Sequence, residues 1–177
     1  SRVIVAGGGT GRDSLAAAKR GVHVTHIDRS DAMLRRARSR FRTDPEASQR
    51  IQVIAADLFE WTAPAPVDGL LAAHILNVYT GDALRTLRAR FLDWLAPGGH
   101  LWIADFAPLR GRGPARWLQS AAHNVPLVGC ALLTGNALHP IHDHGAELTL
   151  AGLPPSDQFD APVFGCGPRW FRTWTFR

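Results

Sequence analysis

Three glycines on alternate positions and two aspartates further along the chain are the residues best placed to do chemistry. Gly7, Gly9 and Gly11 follow directly on Val3-Ile4-Val5-Ala6, so an apolar, β-branched run stops in a turn poor in side chains. Such a turn can reach positive φ and lets a ligand come up against the backbone, while a helix starting just after it leaves its first N–H groups unpaired. A second β-branched run ends in Asp28, and a third ends beside Asp57. In a parallel sheet all three points fall at the same C-terminal edge, so the glycine turn and two carboxylates converge on one crevice. An acid in the position of Asp28 is suited to the hydroxyls of a ribose. Asp57 taken alone reads equally as a turn or helix cap.

The glycine spacing separates two nucleotide-binding readings. A dinucleotide fingerprint requires Gly-x-Gly-x-x-Gly, and counted from Gly7 its sixth position is Arg12. The pattern present is Gly-x-Gly-x-Gly. Together with Asp28 and Asp57 it resembles the class I S-adenosylmethionine (SAM) dependent methyltransferases, and most closely their small-molecule branch, which includes ubiquinone and menaquinone biosynthesis enzymes. The resemblance implies SAM as cofactor and S-adenosylhomocysteine as product. It implies cofactor contacts from Ala6, Gly7, Gly8, Gly9 and Gly11, from Asp28 and Arg29, from Met33, from Asp57 and Leu58, and from Ala73. Within that set an acid at Asp57 accepts a hydrogen bond from the adenine amino group, and the Leu58 N–H bonds a ring nitrogen. Met33 reads also as core packing. One position departs from the family pattern: the acid two residues before the first glycine is here Val5, which removes a carboxylate that helps hold the methionine amino group. Two other readings stay open, a nicotinamide-dependent oxidoreductase and a non-catalytic SAM-binding or partner-binding homologue.

On the acceptor side the chemistry falls to histidines. His74, with Asn77 and Tyr79, leaves an apolar run beginning Val67-Asp-Gly-Leu-Leu, and this stretch resembles the family segment beside the reacting methyl group. The run His139-Pro-Ile-His-Asp-His144 carries His142 and His144. In-line displacement of a sulfonium methyl by an oxygen, nitrogen or carbon needs positioning and, for a hydroxyl, a proton acceptor. His142 is the first candidate for that base, with His74 and His144 behind it. The spacing of the cluster is poor for a metal, so none is expected, and a solvated turn with Asp143 capping the next helix is the plainer alternative.

The elements that must position these residues alternate along the chain. Periodicity and caps give helices over residues 13–20, 30–41 and 82–95, and strands over 22–28, 51–56, 67–73 and 100–107. A short helix over 146–150 follows, then strands over 158–164 and 170–176 joined by Gly165-Cys-Gly-Pro168. The turn Ala96-Pro-Gly-Gly99 is a second match to the family. The implied fold is α/β: a three-layer, doubly wound, mostly parallel seven-stranded sheet in the order 3-2-1-4-5-7-6, with strand 7 antiparallel. Residues 1–177 read as a single Rossmann-like domain. Residues 108–138 carry Arg110, Arg112, Arg116 and Trp117 and then Val125, Leu127, Val128, Leu132 and Leu133. They read as a lid over the acceptor or as ordinary core.

Composition narrows the partners. A 177-residue chain with 46% hydrophobic content suits one self-sufficient core. All but one of its basic residues are arginine, and Arg35, Arg36, Arg38, Arg40 and Arg42 wind around one helix without interleaved aromatics, so no nucleic acid is expected. The expected acceptor is a small, hydrophobic or lipid-like molecule, and the lid arginines suit an anionic head group or membrane surface. Cys130 and Cys166 have neither redox nor zinc spacing, and no signal peptide or spanning segment is evident, which together imply a cytoplasmic protein. The chain opens directly on its first strand, without the helices that precede it in most family members, and so reads as truncated.

Overall fold

A computed structural model describes residues 1–106, 108, 141–161 and 171–177. The elements run β1 (Arg2–Ala6), α1 (Arg12–Ala18), β2 (His23–Asp28), α2 (Asp31–Phe41), α3 (Pro45–Ser48), β3 (Ile51–Ala55), β4 (Val67–Ala73), a 3-10 turn (Leu76–Val78), α4 (Gly81–Asp93), β5 (Leu95–Phe106), α5 (His144–Leu150), β6 (Asp157–Ala161) and β7 (Phe171–Phe176). They form one seven-stranded sheet in the order β3-β2-β1-β4-β5-β7-β6. β7 runs antiparallel to both its neighbours, and the pairs among β1 to β5 are parallel. This is the sheet that the resemblance implies.

Parallel strands bury both faces, which is why they read as continuous apolar runs. On one face Val5 and Val24 pack with Leu15 and Ala18 of α1 and with Ala37 and Phe41 of α2. On the other, Ile4, Ala6, Leu70 and Ala72 meet Leu84, Leu87 and Phe91 of α4, with Trp174 and Phe176 of β7 completing the cluster. The helical stripes expected over residues 30–41 and 82–95 are therefore the two outer layers. Each Leu or Phe buried in this way contributes about 1.5–3 kcal/mol, so the sheet holds its edge rigidly enough to carry a site.

Three local expectations change. The one-turn α3, missed in the sequence, follows from Asp44-Pro45: the Asp44 side chain accepts from the Ala47 N–H at 3.0 Å and Pro45 takes the first helical position. α4 begins at Gly81, with Thr80 at the N-cap, so Asp82 lies inside the first turn and pairs with Arg85 instead of capping. β5 starts at Leu95, because Val67 pairs with Leu95 before the register jumps to Gly69 opposite His100. The Ala96-Pro-Gly-Gly99 turn is thus a bulge in the ladder, with Gly98 at φ +76°. The lid residues from Arg110 to Leu133, both cysteines, His139 and the Gly165–Pro168 turn lie outside the described residues.

At Gly11 the turn has no room for a side chain. Its φ is +76°, and a Cβ there would stand 2.6 Å from the Phe41 ring, so the first turn of α1 packs directly on the end of α2. Gly21 has a similar φ of +84° but open space around it. Gly21→Ala should therefore cost only the left-handed strain, about 1 kcal/mol, whereas Gly11→Ala adds the clash and should cost about 3 kcal/mol. Urea unfolding of the two variants checks the difference, and equal losses would contradict this packing.

Candidate active site

The cleft forms where β1, β2 and β3 end. Asp28, the last residue of β2, accepts two backbone hydrogen bonds, from the Gly9 N–H to Oδ2 and from the Ser30 N–H to Oδ1, both at 2.8 Å. It thereby ties the glycine turn to the start of α2, where Ser30 accepts from the Met33 N–H. A carboxylate offers about four acceptor positions, so about two remain for a ligand. Asp57 follows β3, and its Oδ1 accepts from the Phe59 N–H at 2.9 Å while Arg29 stands 3.6 Å from Oδ2. Asp57 is thus a turn-forming residue and a cleft residue at once. Gly7, Asp28, Arg29, Ser30, Ala56, Asp57, Leu58, Ile75 and Tyr79 line a cleft of about 120 Å³. Ile75 closes down on Gly7, where a Cβ would meet it at 2.8 Å. Tyr79 is held protonated above its usual range by burial, reinforced by the nearby Asp57 and Asp28.

Beneath the glycine turn lies a residue the sequence did not single out. His26 is wholly buried, with Nδ1 2.8 Å from the Ser14 hydroxyl and its ring edge-on to Phe41. A Cβ on Gly8 would fall 2.3 Å from His26 Nδ1, so Gly8 is the residue that lets the turn rest on this ring. Burial pushes the His26 pKa down, against the pull of Asp28.

A second polar cluster is built on a buried carboxylate, Asp105, at the end of β5. It accepts from the Phe106 N–H at 2.8 Å and from the Asn77 N–H at 3.0 Å, with His144 Nε2 at 3.5 Å and His74 Nδ1 at 3.7 Å. Burial would push the Asp105 pKa up, but His144, His74 and the Phe106 N–H together hold it below the usual carboxylate range. Arg88 of α4 reaches His144 Nδ1 and, at 2.7 Å, Glu147 of α5. Because a guanidinium only donates, His144 Nδ1 accepts and its proton sits on Nε2, facing Asp105. Glu147 in turn lies 3.2 Å from His142 Nδ1, and His142 Nε2 lies 3.2 Å from the Tyr79 carbonyl. Burial would raise Glu147, yet Arg88 and His142 hold it below its ordinary value.

Residues 3–99, more than half of the chain, match the family described as Methyltransferase domain. The chain belongs to this methyltransferase-domain family. Its fold matches the mitomycin 7-O-methyltransferase MmcR with a TM-score of 0.72 at 22% identity, over 100% of this chain and 48% of that one. It matches the SAM-dependent methyltransferase SibL in its apo form with a TM-score of 0.72 at 27% identity, over 99% of this chain and 49% of that one. It matches the glycopeptide N-methyltransferase MtfA complexed with SAM with a TM-score of 0.72 at 16% identity, over 99% of this chain and 86% of that one. The chain spans about half the length of MmcR and SibL. No curated protein matches the chain in sequence. These neighbours do not single out the quinone branch of the methyltransferases.

Against this methyltransferase frame, the sequence-derived cofactor residues divide. Gly7, Asp28, Arg29, Asp57 and Leu58 line the cleft together, while Ala6, Gly8 and Gly9 build the turn behind it and Gly11 caps α1. Met33 lies in the first turn of α2 and is not among the lining residues. Ala73 lines a separate groove on the opposite face of the sheet, with Val5, Leu71 and Trp102. Val5 is 2% exposed in the α1–α2 core, so its own side chain does not enter the cleft. Of the histidines, His74 is half exposed at the end of β4, whereas His142 has both ring nitrogens facing partners and His144 is fully buried. Asp143 caps α5 through the Ala146 N–H. Ser30 was legible as the cap of α2, whereas Ile75 and the Ser14–His26 pair carried no signal in the sequence, since their contacts come from distant segments.

The residues present fit an adenosine-bearing cofactor. Asp28 has acceptor capacity left over, and Ala56, Leu58 and Ile75 give apolar walls, with Ile75 packed against the bare Cα of Gly7. No helix of the described residues is long and apolar enough to cross a membrane.

Both buried histidines set a pH dependence of stability. His26 and His144 lie below the ordinary value of 6.5, first through burial and, for His144, also through Arg88. The unfolded chain binds these protons below pH 6.5 while the folded chain does not, so stability is full above that pH and falls as the pH drops beneath it. Each histidine contributes a slope of up to about 1.4 kcal/mol per pH unit. Urea unfolding at pH 7.5 and 5.5 should show the lower stability at 5.5, with His26→Gln reducing the slope. Equal stability at the two pH values would contradict neutral burial of both rings.

Proposed function

We propose that this chain carries out SAM-dependent methyl transfer to a small-molecule acceptor. The observation that carries the reading is the Asp28 carboxylate, fixed by the Gly9 and Ser30 N–H groups with acceptor capacity still turned to a cleft that Asp57 and Leu58 complete. In this reading Asp28 accepts the ribose hydroxyls, Asp57 and the Leu58 N–H meet the adenine edge, and the glycine turn gives passage to the methionine part. When bound, SAM supplies an electrophilic methyl carbon on a sulfonium, whose C–S bond breaks with its electron pair passing to sulfur as the acceptor's lone pair bonds the carbon. The protein's share is to hold the acceptor in line and, where the acceptor is a hydroxyl, to take its proton.

Among the three histidines, His74 serves that last role best. β4 lies beside β1 with Ala72 opposite Ala6, so the register carried onward sets Ala73 level with Gly7 and His74 one residue past it, at the same edge of the sheet. Its ring is half exposed, while those of His142 and His144 are taken up by Glu147, Tyr79, Arg88 and Asp105. The acceptor is a small molecule with an apolar body, and its reacting atom is oxygen or nitrogen by analogy with the fold neighbours MmcR and MtfA.

Isothermal calorimetry should show binding of S-adenosylhomocysteine and none of NAD. Asp28→Ala, losing charge-assisted bonds of about 1.5–3 kcal/mol each, should weaken that binding at least tenfold. Methyl transfer from labelled SAM into extracted host metabolites should fall about a hundredfold in His74→Gln, with S-adenosylhomocysteine affinity unchanged within twofold. Binding of NAD instead, or an unchanged affinity in Asp28→Ala, would overturn this reading.

A further inference from the structure

We infer that Asp105 is the positioning residue that sets His74 as a proton acceptor, in a two-residue device at the ends of β4 and β5. The inference deepens the proposed methyl transfer and rests on that reading. Its first support is backbone geometry. His74 has φ +54°, the one non-glycine residue at positive φ among the described residues. A histidine held there is strained, and such strain persists only where surrounding contacts impose it. Here they are visible: the His74 N–H donates to the Ala104 carbonyl at 2.8 Å, and the ring rests against Phe106 and Phe171, at centroid distances of 5.6 and 5.1 Å.

The second support is the way Asp105 is fixed. It is 1% exposed, and two backbone donors hold it, the Phe106 N–H within β5 and the Asn77 N–H from the 3-10 turn, with His144 Nε2 of α5 at an ion-pair distance of 3.5 Å. Arg88 dictates that His144 presents a proton to this carboxylate and not a lone pair, because Arg88 occupies Nδ1. So oriented, Asp105 keeps Oδ1 3.7 Å from His74 Nδ1. That is an ion-pair distance and too long for a hydrogen bond, as is common for catalytic pairs before substrate closes on them.

A carboxylate on this side holds the His74 proton on Nδ1 and leaves the Nε2 lone pair to take a proton. Among the described residues nothing bonds Nε2. When an acceptor hydroxyl gives its proton to Nε2, the O–H pair stays on oxygen to attack the methyl carbon. The imidazolium is then balanced by Asp105, and its proton passes to water from the exposed side of the ring. Asp105 is the one charged group against the His74 ring among the described residues. Phe106 and Phe171 do not titrate, and His144 and Arg88 act on the ring only through Asp105.

Nitrogen-15 correlation NMR of the imidazole rings tests this on the full chain. In the wild type at pH 8, His74 should be chiefly the Nδ1–H tautomer, and a dominant Nε2–H form would overturn the proposal without any variant. In Asp105→Asn the His74 tautomer population should move toward Nε2–H. Asp105→Glu should restore the Nδ1–H form in part, which a purely structural role would not require. S-adenosylhomocysteine affinity, measured in parallel, should stay within twofold. An unmoved tautomer population with normal S-adenosylhomocysteine binding overturns the role of Asp105 alone. Failure of the wild type to bind S-adenosylhomocysteine overturns the methyl-transfer reading, and the proposal with it.

Discussion

A single carboxylate organises the cofactor side of this domain. Asp28 receives the Gly9 N–H with one oxygen and the Ser30 N–H with the other, so the turn after β1 and the helix after β2 are fixed by the same group. The glycines lack side chains to anchor them, and α2 relies on the Ser30 cap to begin where it does. Beneath the turn the wholly buried His26 ring fills the space that a Cβ on Gly8 would need. The turn is thus held from above by charge and from below by shape, and the same arrangement leaves acceptor capacity on Asp28 pointing into the cleft.

The acceptor side uses the opposite strategy, a continuous polar chain from Asp105 through His144, Arg88 and Glu147 to His142. It links β5, α4 and α5, and it ends on the Tyr79 carbonyl beside the cofactor cleft. Burial of these side chains is tolerated because each meets an opposite charge or a hydrogen-bond partner, even though Arg88 Nε and His144 Nε2 are left without a hydrogen bond. For the proposed methyl transfer, the consequence is rigidity on the side where an acceptor would be held. Displacement of a methyl group demands alignment more than chemical assistance, and a base set by a fixed carboxylate loses little entropy on reaction.

Local chemistry was legible in the sequence, and long-range chemistry was not. Gly7, Gly9 and Gly11 announce the turn because glycine adopts the φ values of +61°, +54° and +76° found there without strain. Asp28 and Asp57 follow from the parallel sheet, which puts the ends of β2 and β3 beside that turn. Strand order followed from the resemblance, and the stripes of α2 and α4 from period 3.6. The histidines are another matter. His142 read as the leading base, but what decides its role are the Tyr79 carbonyl just beyond the 3-10 turn and Glu147 of α5. His144 meets Arg88, 56 residues earlier in the chain, and no periodicity encodes that pairing. His74 was visible only as a neighbour of the reaction centre; its strained backbone and its carboxylate partner belong to the folded state. Ala73 was carried over by its place in the family motif, yet strand alternation turns it to the far face of the sheet, beside Val5 and Trp102.

The central claim is that one cleft, bounded by the glycine turn, Asp28 and Asp57, receives the cofactor. Amide chemical-shift mapping on the isotope-labelled protein tests it most directly, by titrating in S-adenosylhomocysteine and following each backbone N–H. The account predicts that the largest, saturable shifts fall on Gly7, Gly9, Ser30, Leu58 and Ile75, while amides at the N-terminal ends of the strands, such as Val3 and Val24, stay in place. Shifts centred on the N-terminal edge of the sheet, or none at saturating ligand, would contradict it.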